Sequence, residues 1–156
     1  MKGNEKVIET LNDLLADELT AINQYMVHSE MCANWRYDRL HEATEKRAIT
    51  EMKHAEKLIA RIIFLEGIPI VSKLNDIHVG AEVQAQLQND LQAELGAVKM
   101  YNEGIRLCLE VGDGGSRELL EDILEDEEEH TDWLEAQLDQ IKQMGLAHYL
   151  AQQVKE

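Results

Sequence analysis

The chain has 156 residues, enough for one packed core and too few for two comfortable ones. Hydrophobic residues make up 44%, and one proline and nine glycines leave long segments free to be helical, which excludes a disordered chain. The net charge of −16 argues against a nucleic-acid partner and suits a protein that attracts cations. No apolar run reaches the roughly 18 residues a membrane span needs, and the opening MKGNEK lacks a signal peptide's apolar region, so a cytoplasmic protein is expected. Cys32 and Cys108 stand alone without a CxxC pair, which argues against a zinc site or a rubredoxin-like module and reads as two reduced thiols.

In chain order, apolar residues first recur at Val7, Leu11, Leu14, Leu15, Ile22 and Tyr25, predicting an amphipathic helix from about Val7 to Asn34. After a short connection near Trp35–Asp38, a second stripe runs through Ala48, Ala55, Leu58, Ile62 and Leu65 and stops at Gly67 and Pro69. A third uses Val83, Leu87, Leu91, Val98, Tyr101 and Ile105, broken by Gly112, Gly114 and Gly115. Ser116 is the expected cap of the fourth, whose stripe is Leu120, Ile123, Leu134, Leu138 and Ile141, ending near Gly145. The tail from Leu146 to Val154 reads as a short fifth helix. The connection from Gly67 to about Ala81 is the long one: roughly 15 residues at about 3.3 Å each could run some 50 Å, the length of a 30-residue helix. The prediction is an all-α four-helix bundle with a long crossover between helices 2 and 3. It forms one domain over residues 1–156, with the bundle at about 5–145 and the short helix at about 146–154.

Charged residues interrupt the apolar stripes. Glu18 lies between Leu14/Leu15 and Ile22 on the face that should be buried, and Glu94 lies likewise between Leu91 and Val98. Glu51 and His54 interrupt the second stripe, and Glu127 and His130 the fourth. Burying unpaired charge is expensive, so each needs a partner. A Glu-x-x-His pair sets a carboxylate and an imidazole about 60° apart on one helix, aimed at one point. Two such pairs plus one Glu from each remaining helix give four carboxylates, which balance two divalent cations, and two neutral imidazoles. This donor set resembles that of ferritin-like di-iron and di-manganese bundles.

An internal repeat sharpens the reading. Glu51 follows Glu18 by 33 residues, and Glu127 follows Glu94 by 33. A shift of 76 lays Glu18 to Ala21 over Glu94 to Ala97, Tyr25 over Tyr101 and His54…Leu58 over His130…Leu134. A single Glu-x-x-His in an acidic helix is usually a solvated accident; two, each in an apolar stripe and each the same distance after a buried Glu, are not. Tyr25 and Tyr101 read either as core aromatics or as residues with a hydrogen-bond or redox role beside the ligands. The run Glu125, Asp126, Glu128 and Glu129 reads as a solvated face, and His28, His41, His78 and His148, outside the pattern, as surface residues. Cys32 and Cys108 also superimpose, but each would lie about 21 Å from the centre at opposite ends, too far for a disulfide.

The opening MKG, NQY (Asn23 to Tyr25), EMKHAEKLIARIIFLEG (Glu51 to Gly67), SRELLEDILEDEEEH (Ser116 to His130), DWLE (Asp132 to Glu135) and MGLAHYL (Met144 to Leu150) resemble the bacterioferritins along nearly the whole chain. The resemblance implies a ferritin-like fold, a homo-oligomeric shell of 24 subunits around an iron mineral, and oxidation of Fe(II) by O2 or H2O2. It also implies a b-type heme (heme b) at each two-fold dimer interface, and a ferredoxin-type electron donor for iron release. Carried over, the ligands of the di-iron centre are Glu18, Glu51, His54, Glu94, Glu127 and His130, with Glu51 and Glu127 bridging, and Met52 is the heme ligand. Met52 points about 130° away from the direction Glu51 and His54 share, which fits a separate task. Several members carry aromatics at 26 and 45, where this chain has Met26 and Glu45. Some carry His and Asp at 46 and 50 for an extra iron on the inner wall; Lys46 and Thr50 stand here, with Arg47 between, so that site is expected to be absent.

The function read from the chain is therefore iron storage and detoxification, with a ferroxidase centre at which each ferrous ion gives up one electron. Hard oxygen donors favour the ferric product. The alternative is a di-iron or di-manganese peroxidase or catalase in the same bundle.

Overall fold

The computed structural model describes residues 1–155. Asn4 starts the first helix by accepting from the Lys6 and Val7 N–H groups at 2.9 and 3.2 Å, so α1 (Glu5–Asn34) begins slightly before its apolar stripe. A tight turn with Arg36 in the left-handed region reverses the chain into α2 (Asp38–Phe64). Glu82 caps α3 (Val83–Val111) through the Gln84 and Ala85 N–H groups at 2.9 and 2.7 Å. Gly112, at a φ of 76° that suits glycine, then turns the chain into α4 (Gly114–Met144). Here the expected cap is corrected: Asp113, not Ser116, caps α4. Its carboxylate takes the Ser116 N–H at 3.0 Å and the Ser116 hydroxyl at 2.7 Å. The last helix, α5 (Leu146–Ala151), is shorter than the 146–154 predicted.

The bundle is all helical among the described residues, with the connectivity the loops imply. One apolar cluster, containing Leu11, Leu14, Leu58, Ile62, Leu120 and Ile123, fills the end where α1 begins. A second, with Cys32, Leu40, Leu87, Leu134, Ile141 and Tyr149, fills the end where α1 stops. The two cysteines lie in different clusters, both free and buried. Burial pushes the Cys32 thiol up to about 11.

The crossover runs the length of the bundle, and α1 holds it by a rail of polar side chains. Asn12 takes the Ile70 N–H at 2.8 Å, Thr20 the Asn75 N–H at 2.8 Å, Gln24 the His78 N–H at 3.1 Å and His28 the Gly80 N–H at 2.9 Å. His28 is thus a structural residue rather than a surface one: it is 1% exposed, and its Nδ1 lies 2.9 Å from Asp90. Because Nε2 accepts from Gly80, the hydrogen must sit on Nδ1 and donate to Asp90. Gly80 also lets the chain pack onto the start of α3, since a Cβ there would come within 2.4 Å of the Gln86 nitrogen. His41 is half-buried against Ser29, while His78 and His148 are exposed as expected.

Candidate metal centre

Midway along the bundle, between the two apolar clusters, the interrupting residues meet. Glu18 of α1, Glu51 and His54 of α2, Glu94 of α3 and Glu127 of α4 are all buried, and His130 of α4 is nearly so. One ligand atom each of Glu18, Glu51, His54 and Glu127 lie within 4.8 Å of one another. Beside them His130 Nδ1 stands 3.0 Å from Glu94 Oε1, outside that compact group.

Hydrogen bonding tests whether these residues fit metal. Each of the six has one buried atom that makes no aligned hydrogen bond (Glu18 Oε2, Glu51 Oε1, His54 Nδ1, Glu94 Oε2, Glu127 Oε1 and His130 Nδ1), although Glu51 Oε1 lies 2.5 Å from Arg47 Nη2, Glu127 Oε1 3.2 Å from His54 Nδ1 and His130 Nδ1 3.0 Å from Glu94 Oε1. Charge contacts without aligned hydrogen bonds offset only part of the cost of burying four carboxylates and two imidazoles together, a cost that a bundle meant only to be stable would avoid. Carboxylate oxygens and imidazole nitrogens are the donors that first-row divalent metals accept, so the residues fit.

The surrounding groups fix how those donors point. Tyr101 of α3 donates to Glu18 of α1 at 2.5 Å, and Tyr25 of α1 donates to Glu94 of α3. The tyrosines are therefore hydrogen-bond partners of the buried glutamates, crossed between the two hairpins. Burial, reinforced by the nearby carboxylates, lifts both phenols well above their usual range, so they remain donors. His54 Nε2 lies 2.8 Å from Asp126 Oδ2, which leaves Nδ1 facing the centre. Asp126, expected on the solvated face, is 45% exposed at its side chain yet performs this inward task. Among the described residues, no carboxylate supports His130 from behind. The Trp133 ring stacks on it at 5.9 Å and Tyr25 meets it edge-on at 5.5 Å.

Arg47 is the residue that sequence reasoning missed. Its Nη2 stands 2.5 Å from Glu51, 3.1 Å from Glu127 and 3.7 Å from Glu94, with its side chain 10% exposed. The signal was available: Arg47 lies four residues before Glu51, on the stripe that continues through His54 and Leu58. Protonation follows from this crowd. Burial works against charge on Arg47, but Glu51, Glu94 and Glu127 outweigh it and hold the guanidinium protonated. Burial opposes the Glu51 charge too, yet the Glu18, His54 and Arg47 contacts hold that carboxyl well below the usual range. Burial and the Glu51 charge push Glu18 well above it, and burial with the Glu18 and Glu51 charges does the same to Glu127. His54 is disfavoured as a cation by burial, but the Glu127, Glu18 and Glu51 carboxylates push it up to about 12.

Two cavities reach this centre. One of about 480 Å³ lies under the crossover, where Asp17, Gln24, Asn75 and His78 lead to Glu51, Glu94 and Glu127. Burial, then Glu94 and Glu51, push the Asp17 carboxyl up to about 6. The other, about 420 Å³, opens between α2 and α4 beside Arg47, Thr50, Asp126, Glu129 and His130. Met52 is away from both. It is 46% exposed on the outer face of α2 with Ile49, and Met26 and Val27 are exposed on α1.

Comparison with known proteins shows the family. The ferritin-like domain matches residues 8–144. The bacterioferritin of Brucella melitensis is 43% identical over 149 residues, covering 96% of this chain and 92% of that protein. The chain belongs to the bacterioferritin family. Bacterioferritins of Rhodobacter capsulatus (43% over 145 residues, 93% and 90% of the two chains) and Mycobacterium leprae (42% over 152 residues, 97% and 96%) are similarly close. No helix among the described residues is long and apolar enough to cross a membrane.

Proposed function

We propose that the chain, as one ferritin-like domain, stores and detoxifies iron by oxidising Fe(II) at a dinuclear centre made of Glu18, Glu51, His54, Glu94, Glu127 and His130. The observation that carries this reading is the convergence of six buried or nearly buried ligand-type side chains, each with one atom that makes no aligned hydrogen bond. Fe(II) enters as substrate through the cavity under the crossover, where Asp17 and Asp76 attract the cation. Glu18 with His54, and Glu94 with His130, would each hold one ion, with Glu51 and Glu127 available to both. One electron leaves each ion for O2 or H2O2, and the carboxylates favour the ferric product. Tyr101 and Tyr25 keep Glu18 and Glu94 oriented as the metal charge rises.

Family membership and the exposed apolar outer face support assembly into a shell of 24 chains in the cytoplasm, with that face paired across two-fold axes. The same face fits heme b. Met52 presents an exposed thioether on α2, and Met26, Val27, Met31 and Trp35 line a groove of about 540 Å³ along α1. A heme held by Met52 from each of two chains would supply one-electron transfer, taking electrons from a ferredoxin-type donor for iron release.

Anaerobic Fe(II) should bind at two per chain and oxidise rapidly on admitting air. Glu94→Ala and Glu127→Ala should each remove most of the fast phase while helical content stays intact; parent-like rates in both would defeat the assignment. Hemin reconstitution should give a low-spin spectrum at one heme per two chains that is lost in Met52→Leu. An unchanged spectrum in that variant would remove Met52 as the ligand.

A further inference from the structure

We propose that Arg47 is an exchangeable internal cation standing in the Glu94–His130 half of the centre, so that divalent cations load the two halves in sequence, the His54 half first. This rests on the dinuclear reading above and deepens it. With Glu51 and Glu127 shared, the His130 half needs four donors: Glu51, Glu127, Glu94 and His130. Nη2 of Arg47 touches three of them, at 2.5, 3.1 and 3.7 Å from Glu51, Glu127 and Glu94. One nitrogen thus collects the carboxylates that a second cation would require. The His54 half is drawn together independently, with Glu18, Glu51, His54 and Glu127 inside a 4.8 Å span. A protonated guanidinium and a metal ion cannot share the same oxygens at these distances, so the second ion enters only as Arg47 leaves.

The structure also provides somewhere for Arg47 to go. The cavity of about 420 Å³ between α2 and α4 begins at Arg47 and continues past Asp126 and Glu129. Nη1 already donates to the Asp126 carbonyl at 3.2 Å on that side. Rotation about the side chain's own bonds moves the guanidinium toward Glu129 without shifting α2. The inward position is not fully satisfied either, because the buried Nε has no hydrogen-bond partner. Finally, the internal repeat lays Arg47 over Ile123, a buried apolar residue, so the cation is an addition to one hairpin and not part of the duplicated plan.

Anaerobic titration of chelator-treated protein with Co(II), followed by its ligand-field absorption, tests the exchange without turnover. The parent should bind one Co(II) per chain tightly and a second about ten- to a hundredfold more weakly. Arg47→Gln should tighten the second site and narrow the gap between the two affinities, while lowering the melting temperature of the chelator-treated protein. Parent and Arg47→Gln sharing the same pair of affinities would overturn the exchange. Should Arg47→Gln fail to fold, Arg47→Lys, a more mobile cation, should show an intermediate gap between the two affinities, and an unchanged gap counts against the proposal. A crystal structure of the parent with Zn(II) gives a check free of variants. Two zinc ions with Arg47 turned into the α2–α4 cavity are expected; two ions with Arg47 still against Glu51 and Glu127 would refute it. Absence of Co(II) binding in both parent and variant would sink the dinuclear reading, and this proposal with it.

Discussion

His54 and His130 occupy equivalent places in the two hairpins, 76 residues apart, and each turns Nδ1 toward the buried carboxylates. Behind the ring the equivalence ends. His54 is braced by the Asp126 carboxylate at 2.8 Å, whereas His130 lies against the faces and edges of Trp133 and Tyr25. Position 50, which the repeat lays over Asp126, holds Thr50. Arg47 deepens the inequality by crowding the carboxylates on the His130 side. Duplication has thus preserved the donor atoms and let their supports diverge. A carboxylate behind a metal-binding imidazole raises its basicity and fixes its orientation, while aromatic packing only orients it.

The largest effect expected from this difference is at Asp126. Asp126→Ala should weaken Co(II) binding about 10–100-fold at the tighter of the two subsites, because an unbraced imidazole is a poorer and less oriented donor. Trp133→Leu, which removes only the stacking partner of His130, should cost less and act at the weaker subsite. Both are read from the two phases of the same Co(II) titration. If Asp126→Ala weakened both phases equally, the two halves would be supported as one network and the comparison would fail.

How much of this was legible in the sequence follows from what burial does to charge. Glu18, Glu51, Glu94 and Glu127 stood out because a carboxylate in an apolar stripe needs an unusual partner, and both the helix order and the crossover could be derived from periodicity and loop length. Asp126 gave no comparable signal: it sits in an acidic run from Glu125 to Glu129, and only the packing of α4 on α2 selects one member to face inward. His28 was misplaced for a different reason. The crossover has no periodicity, so the partners of its backbone N–H groups could not be predicted. Yet Asn12, Thr20, Gln24 and His28 recur at helical spacing along one face of α1, a polar rail that signals a backbone to be held. Arg47 was hidden by being charged. On a helix rich in Glu and Lys one more charge carried no signal of its own, although its position on the buried stripe did.

The smallest expected effect comes where the halves remain alike. Tyr25 and Tyr101 are both fully buried, and each donates its hydroxyl to the glutamate of the opposite hairpin. Removing either hydroxyl strands a buried carboxylate oxygen and should cost about 1–3 kcal/mol. Tyr25→Phe keeps the edge-on contact with His130, so the ring itself contributes no difference between the two substitutions. Tyr25→Phe and Tyr101→Phe should therefore lower the unfolding free energy of chelator-treated protein by the same amount, to within roughly 0.5 kcal/mol, the scatter of independent sites. Denaturant unfolding followed by circular dichroism makes the measurement. Glu94 also faces Arg47, whereas Glu18 faces His54, so a loss clearly larger for Tyr25→Phe would mean that the asymmetry set by Arg47 reaches inward to the tyrosine layer. Equal losses would confine it to the groups outside the ligands, where duplication has been free to drift.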